Sequence, residues 1–170
     1  MARLRVPCGF VLVIAFAWLS RPTTLSLAIG LPGCLAGLAI RAWAAGHLRK
    51  NMTLATGGPY AWVRNPLYIG TLLTAAGFVI ASRRWPLAVL FAAVFLLVYL
   101  PVIELEEQHL RKLFPEYTDY SLRVPKLIPG RPLRGERRSF RWSVYMRNEE
   151  YQALLGFLAG TAWLVFRLYW

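Results

Sequence analysis

The sequence predicts an all-α integral membrane protein, a helical bundle of about five transmembrane helices. Three observations carry the prediction. Hydrophobic residues make up 57% of the chain and charged residues only 16%, a balance suited to lipid rather than water. Five uncharged runs follow one another: Val6 to Ser20, Pro22 to Ile40, Asn65 to Ser82, Trp85 to Ile103 and Tyr151 to Phe166. All eight Asp and Glu residues lie after position 103, so the first 60% of the chain carries no carboxylate at all. At 170 residues the length prior allows one domain.

A spanning helix needs roughly 20 apolar residues, about 17 at the lower limit. The second, third and fourth runs satisfy this; the first and last are short. Leu4 extends the first, and Leu168, Tyr169 and Trp170 extend the last, where the aromatic pair suits a membrane interface. Met-Ala-Arg-Leu-Arg ahead of the first run also fits a cleavable signal peptide, but further spans follow at once and a signal-anchor helix serves the same pattern. Arg41 to Asn51 continues the second helix. Thr53 to Pro59, with Gly57, Gly58 and Pro59, must turn. Asn65-Pro66 restarts a helix, Pro at its first position and Asn as its cap. Ser82 to Pro86 is a short hairpin, and the fourth helix runs on toward Phe114-Pro115. Tyr117 to Leu133 is rich in Pro and aromatic residues. Residues 131–147 form a basic segment, interleaved with Phe140, Trp142 and Tyr145, that lies along lipid headgroups. The last span occupies 151–170. Gly33 with Gly37, and Gly156 with Gly160, are small-xxx-small pairs that let helices approach closely.

Basic residues set the orientation. With the N-terminus inside, fifteen Lys and Arg residues, among them Arg49, Lys50, Arg64 and the ten from Arg111 to Arg147, face the cytoplasm, against Arg21, Arg83, Arg84 and Arg167 outside. The C-terminus then lies outside. The net charge of +12 reads as topology plus attraction to anionic lipid, and argues against nucleic acid as the partner. Cys8 and Cys34 fall within spans and have neither disulfide nor metal spacing.

Chemistry is expected where polar motifs meet span ends. On a regular helix Glu106 shares its face with Val102, Ile103 and Leu110, an apolar stripe on which a carboxylate wants a cationic partner. Glu107 falls with Glu104 and Arg111, where solvated ion pairs contribute little. Carboxylates near a helix C-terminus oppose the macrodipole, so stability does not explain three of them there. At the other motif, Arg64 and Asn65 open the third span beside Tyr60 and Tyr68, and amides at a helix start suit an anion. A helix start and a buried Glu together would hold both ends of a zwitterion.

The stretch TLATGGPYAWVRNPLYIG, followed after two spans by ELEEQHLRKLFPEYTDYSLRVPKLIP, resembles the integral membrane methyltransferases that include isoprenylcysteine carboxyl methyltransferase and the phospholipid N-methyltransferases. The resemblance covers roughly Leu48 to Pro129. It implies one methyltransferase-like domain over 1–170, with its catalytic motifs in 48–129, and S-adenosylmethionine held at the cytoplasmic face by Leu54, Tyr60, Asn65, Pro66, Tyr68 and Glu106, with Glu107 beside it. Two departures stand out. The family's His is Asn65 here, which cannot take a proton. The Arg that prenylcysteine-modifying members carry one turn before the Glu pair is Val102. Methylation of a lipid amine or other small amphiphile is therefore expected over carboxyl methylation of prenylcysteine, with Glu106 or Glu107 as the candidate base. Two other readings stay open: an NADPH-dependent membrane reductase of sterol-like or unsaturated lipids, with Arg123, Lys126 and Arg131 around the cofactor's extra phosphate, and a non-catalytic membrane adaptor. The sequence leaves the acceptor and the oligomeric state undetermined.

Overall fold

A computed structural model of the chain describes residues 5–133 and 139–170, with side chains from residue 7; part of the basic segment 131–147 therefore lies outside the described residues. The fold is all-α, with no strand among the described residues. In chain order the helices are α1 (Arg5–Leu19), α2 (Thr24–Ala45), a 3-10 turn (Gly58–Ala61), α3 (Pro66–Ser82), α4 (Trp85–Val94), α5 (Leu100–Leu113), α6 (Tyr117–Arg123), α7 (Trp142–Arg147) and α8 (Tyr151–Tyr169). A π-helical stretch, Phe95–Tyr99, joins α4 to α5, making one helix of 29 residues from Trp85 to Leu113. Pro101 supplies the physical cause: without an N–H it cannot continue the i→i−4 ladder, and its ring crowds the preceding turn.

Among the described residues three helices are long and apolar enough to cross a membrane: Thr24–Ala45, Trp85–Leu113 and Tyr151–Tyr169. The last qualifies because it continues over Arg167 and Leu168. The third run is shorter than expected: Asn65 lies before the helix, which leaves α3 with 17 residues.

Two compact units divide the chain. The first comprises the segment through Ala36, Leu73–Leu105 and Leu155–Trp170. Its core is Leu27, Ala81 and Leu164, with Phe16, Leu31, Phe78 and Leu168 packed around them. Backbones approach at Gly30 and Gly77: a Cβ on Gly30 would lie 2.4 Å from the Gly77 carbonyl oxygen, and one on Gly77 2.6 Å from the Cys34 nitrogen. Close approach through small residues is how helices pack where no water drives them together. Of the glycines expected from spacing, Gly37 is at a close approach, its carbonyl oxygen 2.6 Å from where a Cβ on Gly70 would lie; the other three are looser. Gly33 makes only an ordinary contact with Gly77, and Gly156 has open space around it, although Gly160 faces the Phe78 ring. Polar groups stitch this unit too: Ser26 Oγ donates to the Ala81 carbonyl at 2.8 Å, and Trp163 Nε1 to that of Ala17 at 3.2 Å. Trp18 is 81% exposed and Leu97 72%, the apolar surface that lipid covers.

The second unit comprises Gly37–Leu72 and Glu106–Leu154. Its core is aromatic: Tyr117, Tyr120 and Val124 against Leu54, Leu110, Phe114 and Leu133. The Tyr120 hydroxyl donates to the Tyr60 carbonyl at 2.7 Å. Main-chain bonds pin the segment after α6 along the one before α3, from Arg64 N to Pro125 O, Gly130 N to Trp62 O and Leu133 N to Ala61 O. Gly58 has φ +59°, and a Cβ there would lie 2.6 Å from the His47 ring. Both the left-handed backbone and the lack of room call for glycine.

Candidate active site

Asn65 and Pro66 place the first residues of the site. Pro66 is fully buried and opens α3, and the Asn65 carbonyl accepts the first helical bonds from Tyr68 and Ile69. Asn65 and Tyr68, three residues apart, lie on one face. They meet the adjacent carboxylates of α5 one to one. Asn65 Nδ2 donates to Glu107 Oε1 at 3.1 Å, and the Tyr68 hydroxyl donates to Glu106 Oε2 at 3.0 Å.

The two carboxylates have opposite surroundings, and both differ from the sequence expectation. Glu107 is 2% exposed, not solvated. Its other oxygen takes two ion pairs, from Arg64 Nη1 at 3.5 Å and Lys126 Nζ at 3.4 Å. Glu106 is the exposed one. The expectation failed although Val102 and Ile103 are indeed buried, because Ile103 lies three residues before Glu106 and four before Glu107, so the same apolar face can turn either carboxylate inward. Within α5, Ile103 and Glu107 are buried one turn apart, while Leu105 is half exposed. A buried carboxylate is tolerated where cations and donors surround it, and Arg64, Lys126 and Asn65 surround Glu107. The Asn65 amide also donates to the Lys126 carbonyl at 3.2 Å, so it braces the site from both sides.

Tyr60 is 6% exposed and its hydroxyl has no hydrogen-bond partner among the described residues. Burial raises its pKa well above the ordinary tyrosine value, and nearby Tyr120, Glu150 and Glu106 push the same way while Arg41 opposes them. The phenol therefore stays protonated, a buried donor with nothing to donate to, which costs about 1–3 kcal/mol. Burial also raises Tyr117, to about 12, with Glu107 adding to the shift and Arg64 and Arg111 reducing it.

Of the residues expected from sequence, the structure brings Asn65, Tyr68, Glu106 and Glu107 into direct contact. Pro66 positions them. Leu54 sits instead in the Tyr117–Tyr120–Val124 core, and Tyr60 offers its backbone carbonyl to that core and its hydroxyl to no described group. Lys126, assigned from sequence to a reductase's phosphate pocket, is engaged with Glu107. One pair went unrecognised: Arg41 Nε and Nη2 donate to Glu150 Oε2 and Oε1 at 3.0 and 2.9 Å, and Arg41 Nη1 donates to Thr71 Oγ1 at 2.5 Å. A lone Arg in an apolar helix is itself the signal. The cavity beside this pair, about 200 Å³ and lined by Leu38, Ala42 and Tyr145, is smaller than sites for nucleoside-sized ligands. Among the described residues no group of three or more His, Cys, Asp and Glu side chains is set to hold a metal ion.

The family model for phospholipid methyltransferases matches residues 33–117, half of the chain. The chain belongs to the phospholipid methyltransferase family. The match reaches further back than the resemblance seen from Leu48 and ends at Tyr117; it spans Leu54, Tyr60, Asn65, Tyr68, Glu106 and Glu107. Two relatives of this family member carry names from metal resistance. The cobalt-zinc-cadmium resistance protein CzcN of Cupriavidus metallidurans is 35% identical over 127 residues, 73% of this chain and 57% of the relative. The nickel-cobalt-cadmium resistance protein NccN of Alcaligenes xylosoxydans xylosoxydans is 34% identical over 105 residues, 61% of this chain and 49% of the relative. The chain thus spans about half the length of the curated relatives it matches. No solved structure matches it.

Proposed function

We propose that this methyltransferase-family member moves a methyl group from S-adenosylmethionine to a small amphiphile dissolved in the membrane, an amine in preference to a prenylcysteine carboxylate, at a site facing the cytoplasm. The observation that carries the reading is the pairing of Asn65 and Tyr68 with the two glutamates, beside a buried tyrosine hydroxyl that has no partner among the described residues. The residues fit the cofactor's chemistry. Tyr60 is an orphaned donor suited to one of its oxygen or nitrogen acceptors, and the exposed carboxylate of Glu106 suits its cationic end. Tyr68 holds Glu106 in place and Asn65 holds Glu107, Pro66 opens the helix at whose start both donors lie, and Leu54 packs in the aromatic core of the same unit. When bound, S-adenosylmethionine supplies an electrophilic methyl on a sulfonium.

The chain's own work is then orientation and exclusion of water. Orientation accounts for about 7–11 kcal/mol of a barrier in favourable cases, and no strong base is needed unless the acceptor is a protonated amine. For that proton Glu106 is the candidate, because it is the exposed carboxylate of the two. Glu107 is a positioning residue: it fixes Asn65 and Arg64. Incorporation of labelled methyl from S-adenosylmethionine into membrane lipid extracts tests the reading. Transfer that is lost in Glu106→Gln supports it, and the absence of any labelled lipid with wild-type protein in native membranes would defeat it.

The names of the two relatives suggest a setting. We extend it to this chain as resistance to cobalt, zinc, cadmium or nickel through a change in membrane composition. Cells lacking the chain should grow less well in cobalt or cadmium, and Glu106→Gln should not restore them.

A further inference from the structure

A second site, sharing no residue with the one above, lies between the end of α2 and α7. Four cations, Arg49, Lys50, Arg141 and Arg147, line a cavity of about 440 Å³. None of the four has a carboxylate within ion-pair distance among the described residues. That contrasts with Arg41, Arg64 and Lys126 in the same unit, each of which is paired. Like charges gathered in one concavity repel, and they are stable together when an anion joins them.

The cavity walls are fixed by the chain rather than left to loops. Asn148 Nδ2 donates to the carbonyls of Ala45 and Leu48, both at 2.8 Å, and Arg141 N donates to Gly46 O at 3.1 Å. Three hydrogen bonds thus hold 141–148 against 45–48, and Asn51 turns the chain at φ 58°. Arg side chains present a planar fork that matches phosphate oxygens, and several together suit a group with spread negative charge better than a lone carboxylate. The volume is in the range of pockets for organic ligands. No aromatic ring lines it to stack a base, whereas Leu48, Met52 and Val144 add apolar wall, and Met52 is 65% exposed. A phosphate with a glycerol-like or acyl continuation fits that lining better than a nucleotide, in keeping with basic pockets that hold lipid headgroups.

We propose that this pocket binds the phosphate of an anionic phospholipid headgroup, as a site separate from methyl transfer. The test uses the full chain purified in zwitterionic detergent and offered phosphatidylglycerol or phosphatidylcholine, with retained lipid read by native mass spectrometry and thermal stability. Wild type should hold phosphatidylglycerol in preference. The triple variant Arg49→Gln/Arg141→Gln/Arg147→Gln should bind it about a hundred-fold more weakly, whereas Arg111→Gln/Lys112→Gln/Arg123→Gln, which removes the same charge elsewhere, should bind as wild type does. The single change Arg147→Gln, at an exposed helix end, should weaken binding about five-fold if the triple variant does not fold. Equal loss in both triple variants, or loss in neither, overturns the pocket. Inorganic phosphate that stabilises wild type as much as phosphatidylglycerol does would make the ligand soluble phosphate and overturn the lipid assignment.

Discussion

The two units of the chain are held together by different physics. The first relies on shape: Gly30 and Gly77 let backbones touch, and Leu27, Ala81 and Leu164 fill the space beside them. The second has a close approach of its own, at Gly37 and Gly70, and adds charge and hydroxyl groups, from the Glu107 cluster with Arg64, Lys126 and Asn65 to the Arg41–Glu150 fork and the Tyr120–Tyr60 bond. Where the surroundings are apolar, burying another methyl gains nothing and close fit decides. Where carboxylates are buried, each must be matched, and the matching fixes side chains in place. A site that depends on orientation belongs to the second kind.

The largest expected effect comes from breaking that matching. Glu107→Ala removes the buried carboxylate that Arg64 and Lys126 share, and should cost about 3–5 kcal/mol of stability; thermal unfolding in detergent measures it. A change under 1 kcal/mol would mean that the cluster is solvated and the contrast between the units is overstated. Next is Gly77→Ala, the equivalent insult to the first unit. Its Cβ would meet the Cys34 nitrogen and Gly30 oxygen at 2.6 Å, and overpacking of this kind costs about 1–3 kcal/mol. Gly33→Ala, with only an ordinary contact, should be near neutral in the same assay.

Smaller still is Tyr60→Phe, which removes a buried hydroxyl that has no described partner. Stability should hold or rise slightly, while affinity for S-adenosylmethionine falls. A stability loss without an affinity loss would make Tyr60 part of the core alone. The smallest effect is in alkali. Tyr117 titrates at about 12 in the fold against 10.0 ordinarily. Its folded pKa is raised, so its contribution is fully present below about pH 10 and drains away as the pH climbs to about 12. Glu107→Gln removes a charge that raises this value, so phenolate absorbance should then develop at lower pH.

The residues explain what was legible. The long apolar helices were, because each is an apolar run bounded by charge, Pro or Gly, and so was the Asn-Pro helix start. The short polar helices α6 and α7 were not, and α2 ends at Ala45 rather than continuing to Asn51. That the two motifs meet was also legible, since their order matches the family, and Asn65 and Tyr68 do contact Glu107 and Glu106. The rotation of α5 was not. Glu106 and Glu107 are separated by about 100° on a helix, and an apolar face with Ile103 one turn before both cannot say which of them turns inward. Arg64 and Lys126 decide it, and Lys126 lies 19 residues beyond Glu107. The Arg41–Glu150 pair joins residues 109 apart, a distance across which spacing carries no information. Gly30 and Gly77 escaped for a similar reason: contact depends on which helix lies opposite, and this pair spans two helices.

Calorimetric titration of S-adenosylmethionine into the full chain, comparing wild type with Glu106→Gln and Glu106→Asp, tests the central claim most directly. The account predicts saturable binding by wild type, at least ten-fold weaker binding by Glu106→Gln, as expected for loss of a charge-assisted contact, partial recovery in Glu106→Asp, and unchanged melting temperatures throughout. Binding that is the same in all three proteins would contradict it, because the exposed carboxylate held by Tyr68 would then make no contact with the cofactor.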